Sequence, residues 1–273
     1  MIPPVWRAAG LATGVAVGAA AYATWVEPRW FALRHREVPC LPPGSPSLRV
    51  LHLSDMHLTP SDIRRVEWVR GLAALEPDLV VDTGDNLGHL EAVPTALRAL
   101  EPLLGLPGVF VLGSNDYYSP RARNPLVYFA GPTRRHGKHR LPTGKLTAAL
   151  SEAGWADLSN TRSELTVQGR RISFVGVDDP HIARDVYPGP TAVPPDAETL
   201  RVGVVHAPYL RALNPMVDEG CRLVLAGHTH GGQVTVPLYG ALVTNCDLPT
   251  RYAKGLNRWS TPAGSSWLHV SAG

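Results

Sequence analysis

The most informative stretch of this chain is LVLAGHTHGGQ, residues 223–233. Its first four residues are apolar and are typical of a buried strand that ends at Gly227. His228 and His230 follow that glycine closely. Neutral imidazole is a good ligand for Zn, Mn or Fe, so this strand end suits metal binding. A single pair of histidines is more often structural, and the interpretation therefore depends on the strand ends upstream.

Four apolar runs upstream end in a similar way. They cover residues 48–53, 79–81, 109–112 and 202–205. Carboxylate, amide and imidazole groups can bind transition metals through oxygen and nitrogen. Five strand ends of this kind are hard to explain by chance. In chain order, the polar residues after these four runs are Asp55 and His57, Asp85, Asn115 and Asp116, and His206.

The segments between the first three runs have helical patterns, over residues 61–72 and 92–104. Strands that alternate with helices predict an α/β fold with right-handed crossovers and a parallel sheet. Ligands in such sheets bind beyond the carboxyl ends of the strands, which is where the polar residues fall. We therefore expect these side chains to form one site.

The composition is that of an ordinary globular protein. The chain has 273 residues, 44% of them hydrophobic, which is enough for one α/β domain or two small ones. Its net charge of +3 is too small to indicate a nucleic-acid partner. Three cysteines form no metal-spaced pair and no obvious disulfide framework, and are expected to be ordinary thiols: Cys40, Cys221 and Cys246.

Residues 8–26 carry no charge and are nearly long enough to cross a bilayer. We interpret them as a single N-terminal membrane anchor, with Trp25 and Trp30 at the interface. A cleaved signal peptide and a soluble core helix are the alternatives. More arginines follow the segment than precede it, which favours a cytoplasmic domain, whereas a signal-anchor would place the domain outside. The predicted divisions are an anchor and juxtamembrane segment at 1–36, a linker at 37–47 and a globular domain at 48–273.

Residues 120–145 predict a long loop rich in arginine and histidine. A loop of this length is unusual in a compact domain unless it works as a lid or binding loop, for example for a phosphate or an anionic lipid surface. A solvated loop is the equal alternative. Residues 163–168 and 171–177 predict a β-hairpin. Three polar residues follow it, and the sequence assigns them no role: Asp178, Asp179 and His181.

Taken together, the motifs resemble those of the calcineurin-like metallophosphoesterase family. That family has Asp-x-His, Gly-Asp, Gly-Asn-His-Asp/Glu, a lone His or Gly-His, and Gly-His-x-His. The resemblance covers residues 48–273, and the anchor, the Ser-Asp-Met-His opening and the final Gly-Gly-Gln look like a bacterial membrane-associated branch. That branch is grouped with UDP-2,3-diacylglucosamine pyrophosphohydrolase-like enzymes. The implied fold is a β-sandwich of two mixed sheets flanked by helices.

The resemblance implies a dinuclear metal site at the strand ends. Two divalent metals about 3.5–4 Å apart can share a hydroxide that attacks phosphorus in line, without a protein nucleophile. A set of four histidines, two aspartates and one amide suits Mn, Fe or Zn better than Ca. The expected ligands are Asp55, His57 and His230 for one metal, His206, His228 and an asparagine for the other, and Asp85 as the bridge.

The third motif departs from the family pattern. Ungapped alignment places Ser114 where the family has its metal-binding asparagine, and Asn115 where it has a histidine that stabilises or protonates the leaving group. We expect a one-residue shift that lets Asn115 bind the metal and brings Asp116 near the substrate. Because an amide does not donate a proton at neutral pH, poor leaving groups should be cleaved weakly, and a phosphate leaving group should suffer less.

The expected function is hydrolysis of a phosphodiester or pyrophosphate bond in a lipid-linked or nucleotide-linked substrate, by a monomer at the membrane lipid. The alternative is a catalytically weakened metal- or phosphate-binding membrane protein, which Ser114 and Asn115 support. A purely structural metal site is disfavoured, because such sites favour closed Cys/His shells. The sequence stops at Gly273, where the family usually continues through a further strand, so either the chain is truncated or that strand is absent.

Overall fold

The structure is a computed structural model. It divides into two compact units, Met1–Arg36 and Glu37–Gly273. Within the described part of the chain, no helix is both long and apolar enough to cross a bilayer. Most of the anchor predicted at 8–26 lies outside the described residues, so the anchor stays a prediction. The described residues are 30–121, 124–132, 137, 139–190, 199–236 and 239–273, with Gly14, Gly18 and Tyr22.

The first sheet has four short strands that are all parallel. They are β1 (Val50–Leu53), β2 (Leu79–Asp82), β3 (Gly108–Phe110) and β4 (Ala156–Asp157), in that order across the sheet. The connecting helices are α1 (Ile63–Gly71), α2 (Val93–Leu100), α3 (Ser114–Tyr117) and α4 (Thr143–Glu152). The predicted alternation of strand and helix is therefore confirmed.

The second sheet has six strands of mixed direction. In chain order they are β5 (Thr161–Val167), β6 (Arg170–Gly176), β7 (Leu200–Val205), β8 (Leu223–Ala226), β11 (Gly255–Thr261) and β12 (Gly264–Val270). A small hairpin precedes the last two, with β9 (Val234–Val236) and β10 (Gly240–Val243), and α5 (Leu210–Asp218) connects β7 to β8. The order across the sheet is β11-β12-β8-β7-β6-β5, with antiparallel pairs only at its two edges.

The two sheets pack face to face, with helices on their outer faces. Val81 and Val109 of the first sheet share one buried cluster with Phe174 and Val204 of the second. Two further clusters join the first sheet to α1, α2 and α4, and the second sheet to α5. The expected sandwich flanked by helices is present. The expectation of two mixed sheets holds for the six-stranded sheet, whereas the four-stranded sheet is parallel because helical crossovers join its strands.

The long basic loop between β3 and α4 is partly ordered. A 3-10 turn covers Pro125–Ala130, and an antiparallel bridge pairs Tyr118 with Arg140. Residues 122–123, 133–136 and 138 of this loop lie outside the described part of the chain. A lid or binding role for the loop stays a prediction.

Candidate metal centre

The loops after the strands are joined to one another by backbone hydrogen bonds at the carboxyl edge of the sheets. His57 N donates to Asp85 O at 2.9 Å, which joins the loops after β1 and β2. Gly227 N donates to His206 O at 2.9 Å, which joins the loops after β8 and β7. Strand ends that are far apart in sequence therefore lie side by side, as their parallel pairing requires.

Most of the expected ligands sit in left-handed backbone conformations. This region is sparsely populated by residues other than glycine and costs on the order of 1 kcal/mol or more for each residue. Each such residue comes two to four positions after its strand, so the chain turns sharply and directs the side chain across the sheet edge. The residues are Asp55, His57, Asp85, His228 and His230, with φ between 42° and 71°.

Asp85 lies between two histidines and presents one carboxylate oxygen to each. Its Oδ2 is 3.7 Å from His57 Nε2, and its Oδ1 is 3.5 Å from His206 Nε2. The carboxylate is buried. A carboxylate placed in this way can bind two cations at once, one through each oxygen, which is the geometry expected of a bridging ligand.

Asp55, His57 and His230 form the first group that could hold a metal ion. Their candidate ligand atoms all lie within 4.8 Å of one another. Asp55 Oδ1 is 3.4 Å from His230 Nε2, and the two histidine Nε2 atoms are 3.3 Å apart. The side chains of His57 and His230 are 25% and 39% exposed, so this group is open to solvent on one side.

Asp55, Asp85 and His206 form a second such group, and all three residues are buried. His206 Nδ1 donates to the Thr83 carbonyl at 2.8 Å, so Nε2 is the ring nitrogen that faces the group and can bind a metal in exchange for a proton. Among the described residues, neither His206 Nε2 nor Asp55 Oδ1 has a hydrogen-bond partner, although both atoms are buried. Buried polar atoms without partners are rare, and a bound cation would satisfy both.

The charges of these side chains also fit cations. Burial raises the pKa of Asp55 and of Asp85, but the neighbouring histidines lower it by more than burial raises it. Both carboxyls therefore stay ionised. Burial opposes protonation of His206, yet nearby carboxylates, first among them Asp85, raise its pKa to about 9. The site thus carries excess negative charge that a proton or a metal must balance. Nitrogen and carboxylate donors suit Mn, Fe or Zn.

His228 lies beside the second group but outside both compact sets. Its ring centroid is 5.3 Å from that of His206, and its Nε2 is 3.3 Å from the Asn245 carbonyl. Donation from Nε2 to that carbonyl leaves Nδ1 as the nitrogen that can bind a metal. Burial, followed by the neighbouring His181 and His206, keeps its pKa well below the usual value, so the ring is neutral as a ligand must be. Its role as a ligand stays a prediction.

Asn115, rather than Ser114, contacts the bridging carboxylate. Its backbone N donates to Asp85 Oδ1 at 2.7 Å and its Nδ2 to Oδ2 at 2.8 Å. Rotation of the amide by 180° would place Oδ1, an atom that can bind a metal, in the same position. This geometry is compatible with Asn115 as a ligand, which stays a prediction.

Asp116 does not fit the expected contact with the substrate. It is fully buried, and its carboxylate accepts hydrogen bonds from the backbone N atoms of Asp85, Asn86 and Gly113 at 2.8–3.0 Å. Both oxygens are occupied by the loops after β2 and β3. The sequence could not indicate this, because the partners are backbone groups. Asp116 is a positioning residue.

Sequence reasoning missed the residues that support the ligands. Ser54 Oγ donates to Asp55 Oδ2, and the ring of His181 lies 4.4 Å from that of His228. Asp178 and Asp179 follow β6, the neighbour of β7 in the sheet. Their place after a further parallel strand was the signal that could have assigned them to the border of the site.

A glycine is also required by the site. A Cβ on Gly113 would lie 2.2 Å from Asp85 Oδ1 and 2.6 Å from His206 Cε1. The loop after β3 can approach the carboxylate only because this residue has no side chain.

Comparison with known proteins agrees with the fold and the site. The family model for calcineurin-like phosphoesterases matches residues 48–232. The uncharacterized metallophosphoesterase YkuE of Bacillus subtilis is 26% identical over 97% of this chain and 85% of its own length. The phosphodiesterase YaeI of Escherichia coli is 26% identical over 92% and 84%. A transmembrane protein with a metallophosphoesterase domain from Bos taurus is 28% identical over 72% of this chain and 44% of its own length.

The matched family and relatives, with the clustered carboxylates and imidazoles, define a metal-dependent phosphoester hydrolase. The chain belongs to the calcineurin-like phosphoesterase family, as its motifs predict. The narrower likeness to UDP-2,3-diacylglucosamine pyrophosphohydrolase-like enzymes stays a prediction.

Proposed function

We propose that this chain hydrolyses a phosphodiester or pyrophosphate bond in a lipid-linked or nucleotide-linked substrate. The observation that carries the proposal is the position of Asp85 between His57 and His206, one oxygen facing each. Two cations fit around this carboxylate. Together they would supply Lewis acidity and an activated water, so no protein nucleophile is needed.

Different residues of the chain would hold the two cations. Asp55, His57 and His230 would hold the outer cation, and Asp85 would be shared. His206 would hold the inner cation, with its ring oriented by the Thr83 carbonyl. The inner site would be completed by His228 and Asn115.

Asn115 narrows the choice of substrate. Its amide lies beside Asp85, at the position where the family has a histidine, and it does not donate a proton at neutral pH. The leaving group must therefore be stable as an anion. A phosphate meets this condition, whereas an alkoxide does not. This favours a pyrophosphate, or a diester with an acidic leaving group.

The first experiment is turnover of bis-p-nitrophenyl phosphate by protein stripped of metal and resupplied with Mn²⁺. For Asp85→Asn we expect kcat/KM to fall at least about 100-fold, because the variant loses the charge shared by the two cations. The matched control is Asp62→Asn, a half-buried aspartate before α1 that lies outside both candidate metal groups. Activity retained in Asp85→Asn would refute the proposal. Bound Mn²⁺ without turnover would favour the alternative, a metal- or phosphate-binding protein.

The membrane is proposed as the place of action, with a single N-terminal anchor at 8–26 and a monomeric enzyme. The uncharged run supports a membrane location, as does the name of the bovine relative, a transmembrane protein. The orientation with the domain in the cytoplasm follows from the arginine count alone. Full-length chain should sediment with membranes and resist extraction by high salt. A chain from Glu37 onward should not.

A further inference from the structure

Arg184 lies in the loop after β6, and its guanidinium group is held on two sides. Its Nε donates to Asp178 Oδ2 at 2.7 Å, and its Cζ lies 4.1 Å from the centroid of the Tyr117 ring. The Tyr117 hydroxyl donates to the other oxygen of Asp178 at 2.8 Å. An ion pair and an aromatic face thus fix one arginine. A side chain ordered in advance loses less conformational entropy when it binds a ligand.

The arginine keeps donors for a further partner. The ion pair with Asp178 uses Nε, and Tyr117 is a further hydrogen-bond partner of the guanidinium. Among the described residues, the five N–H groups of the guanidinium are therefore not all used, and some remain for a ligand. The side chain of Arg184 is 47% exposed, whereas that of Asp178 is 5% exposed. The guanidinium is therefore anchored on one side by the buried Asp178 and accessible to solvent on the other. Arginine in such a position suits bidentate binding of a phosphate.

The supports of Arg184 belong to the border of the metal centre. Tyr117 lies in α3, two residues after Asn115, whose side chain contacts Asp85. On the other side, Arg184 N donates to the Asp179 carbonyl at 3.1 Å, and Asp179 Oδ1 accepts from the backbone N of His181, whose ring lies 4.4 Å from that of His228. Both elements that hold Arg184 thus also carry residues that lie beside expected metal ligands.

A neighbouring arginine provides a contrast. Arg211 also stacks on an aromatic ring, with its Cζ 4.6 Å from the centroid of Tyr209. Its Nε and one Nη donate to the two oxygens of Asp185 at 2.8 and 2.9 Å, and that Nη also donates to the Pro180 carbonyl. Three donations to the protein thus use its Nε and one of its two Nη atoms, although its side chain is 43% exposed. Exposure and stacking are similar in the two arginines, but the available donors differ.

We propose that Arg184 binds the second phosphate of a pyrophosphate substrate, the phosphate that departs. The inference rests on the proposed function. In the reaction, water adds to one phosphorus and the bridging P–O bond breaks. The electron pair of that bond stays on the departing phosphate, and a proton is released to solvent. Arg184 neutralises the charge that develops on this phosphate, in a site where Asn115 supplies no proton.

The test compares the binding of two probes by isothermal titration calorimetry on the full chain loaded with Mn²⁺. One probe is AMP, which has a single phosphate. The other is α,β-methylene-ADP, which has two phosphorus groups and no hydrolysable bridge. In the wild type, we expect α,β-methylene-ADP to bind about tenfold more tightly than AMP, because a bidentate charged contact is added. Arg184→Ala should reduce this ratio to threefold or less, and Arg211→Ala should leave it unchanged.

Further measurements separate binding from a structural effect. Addition of guanidinium ion at millimolar concentration should restore part of the ratio in Arg184→Ala, and the melting temperature of each variant reports on its fold. An equal ratio in wild type and Arg184→Ala would overturn the inference, as would an equal loss in Arg211→Ala. Because calorimetry does not require turnover, absence of bis-p-nitrophenyl phosphate hydrolysis would count against the proposed function and not against this contact.

Discussion

Asn115 is the residue at which the chemistry of this chain departs most from that of its family. Its Nδ2 lies 2.8 Å from Asp85 Oδ2, and in the ungapped alignment of the motif the residue stands where the family has a histidine. The amide can orient the carboxylate or bind a cation, but it does not act as a general acid. The departing group must then leave as an anion, and the rate should depend steeply on its acidity.

Replacement of Asn115 by histidine should make the rate depend less steeply on the acidity of the leaving group. Since Asn115 is also proposed as a ligand of the inner cation, the Mn²⁺ affinity of Asn115→His is measured first and rates are compared at saturating Mn²⁺. There we expect the variant to raise the rate for phenyl diesters with poor leaving groups by about tenfold or more, since general-acid catalysis contributes about 10²–10⁴-fold. The rate for the p-nitrophenyl diester should change little. A series of substituted phenyl diesters measures the slope of log rate against leaving-group pKa, with Asn115→Ala as the control. An unchanged slope would show that residue 115 does not contact the leaving group.

Gly113 is the second residue whose identity is set by close contact. In Gly113→Ala, the new methyl group would overlap Asp85 Oδ1 and His206, so one of them must move. We expect kcat/KM to fall about 100-fold, as a displacement of about 1 Å in an active site can cause. Mn²⁺ affinity should fall as well. Gly105→Ala is the matched control, because a Cβ there would have no atom within 4 Å. Equal metal affinity in both variants would contradict the expected overlap.

The loops after β2 and β3 work as one element, because Asp116 joins them. Its carboxylate accepts three backbone N–H groups, two from the loop that carries Asp85 and one from Gly113. Across the described part of the chain, Asp116 is the acceptor found for these three donors, and an unsatisfied buried N–H group is costly. The position of the bridging carboxylate therefore depends on a residue that does not contact substrate.

Asp116→Asn should weaken this junction, because one acceptor oxygen becomes an NH₂ group that faces backbone donors. We expect the free energy of unfolding to fall by about 2–4 kcal/mol, because a buried hydrogen bond is lost and a buried backbone N–H group is left without an acceptor. Urea denaturation in the presence of a chelator measures the effect without metal binding. The control is Asp157→Asn, since Asp157 accepts only the Ser159 backbone N–H among the described residues. Equal losses of unfolding free energy in the two variants would contradict the conclusion that Asp116 joins the two loops.

At the scale of the whole molecule, the two sheets bring two carboxylates and a histidine together in one buried site. Asp55 and Asp85 come from the first sheet, and His206 comes from the second. Without metal, His206 is protonated in the folded state, since nearby carboxylates raise its pKa to about 9 despite burial. Burial likewise raises the pKa of Asp179 to about 7. The metal-free fold therefore holds protons that the unfolded chain releases at lower pH.

Stability of the metal-free protein should fall as pH rises from 6.5 to 9. A raised pKa in the folded state stabilises the fold below the unfolded pKa, and this contribution is lost as pH rises through the folded pKa. For His206 alone, the free energy of unfolding falls by about 3 kcal/mol, because folding raises its pKa from 6.5 to about 9. Mn²⁺ should restore stability at pH 9, because a cation replaces the proton. Urea denaturation at both pH values measures this. Equal stability of the metal-free protein at both would show that the site does not need a cation.

Much of this protein was predictable from local sequence. The apolar runs predict the strands because buried strands of a parallel sheet are apolar on both faces. The polar residues after those strands predict the site because parallel strands end at one edge. Asp55, His57, Asp85 and His206 could be found in this way, and the structure brings them together.

Other features depend on contacts between distant segments, which no local pattern encodes. The backbone partners of Asp116, the ion pair of Arg184 with Asp178 and the orientation of His206 by the Thr83 carbonyl exist only after the sheets have packed. Sequence by itself determined which side chains could bind metal and where the strands end. Only the tertiary structure decided which carboxylate faces two histidines and which one supports the loops, because hydrogen-bond partners and burial are set by packing rather than by order along the chain.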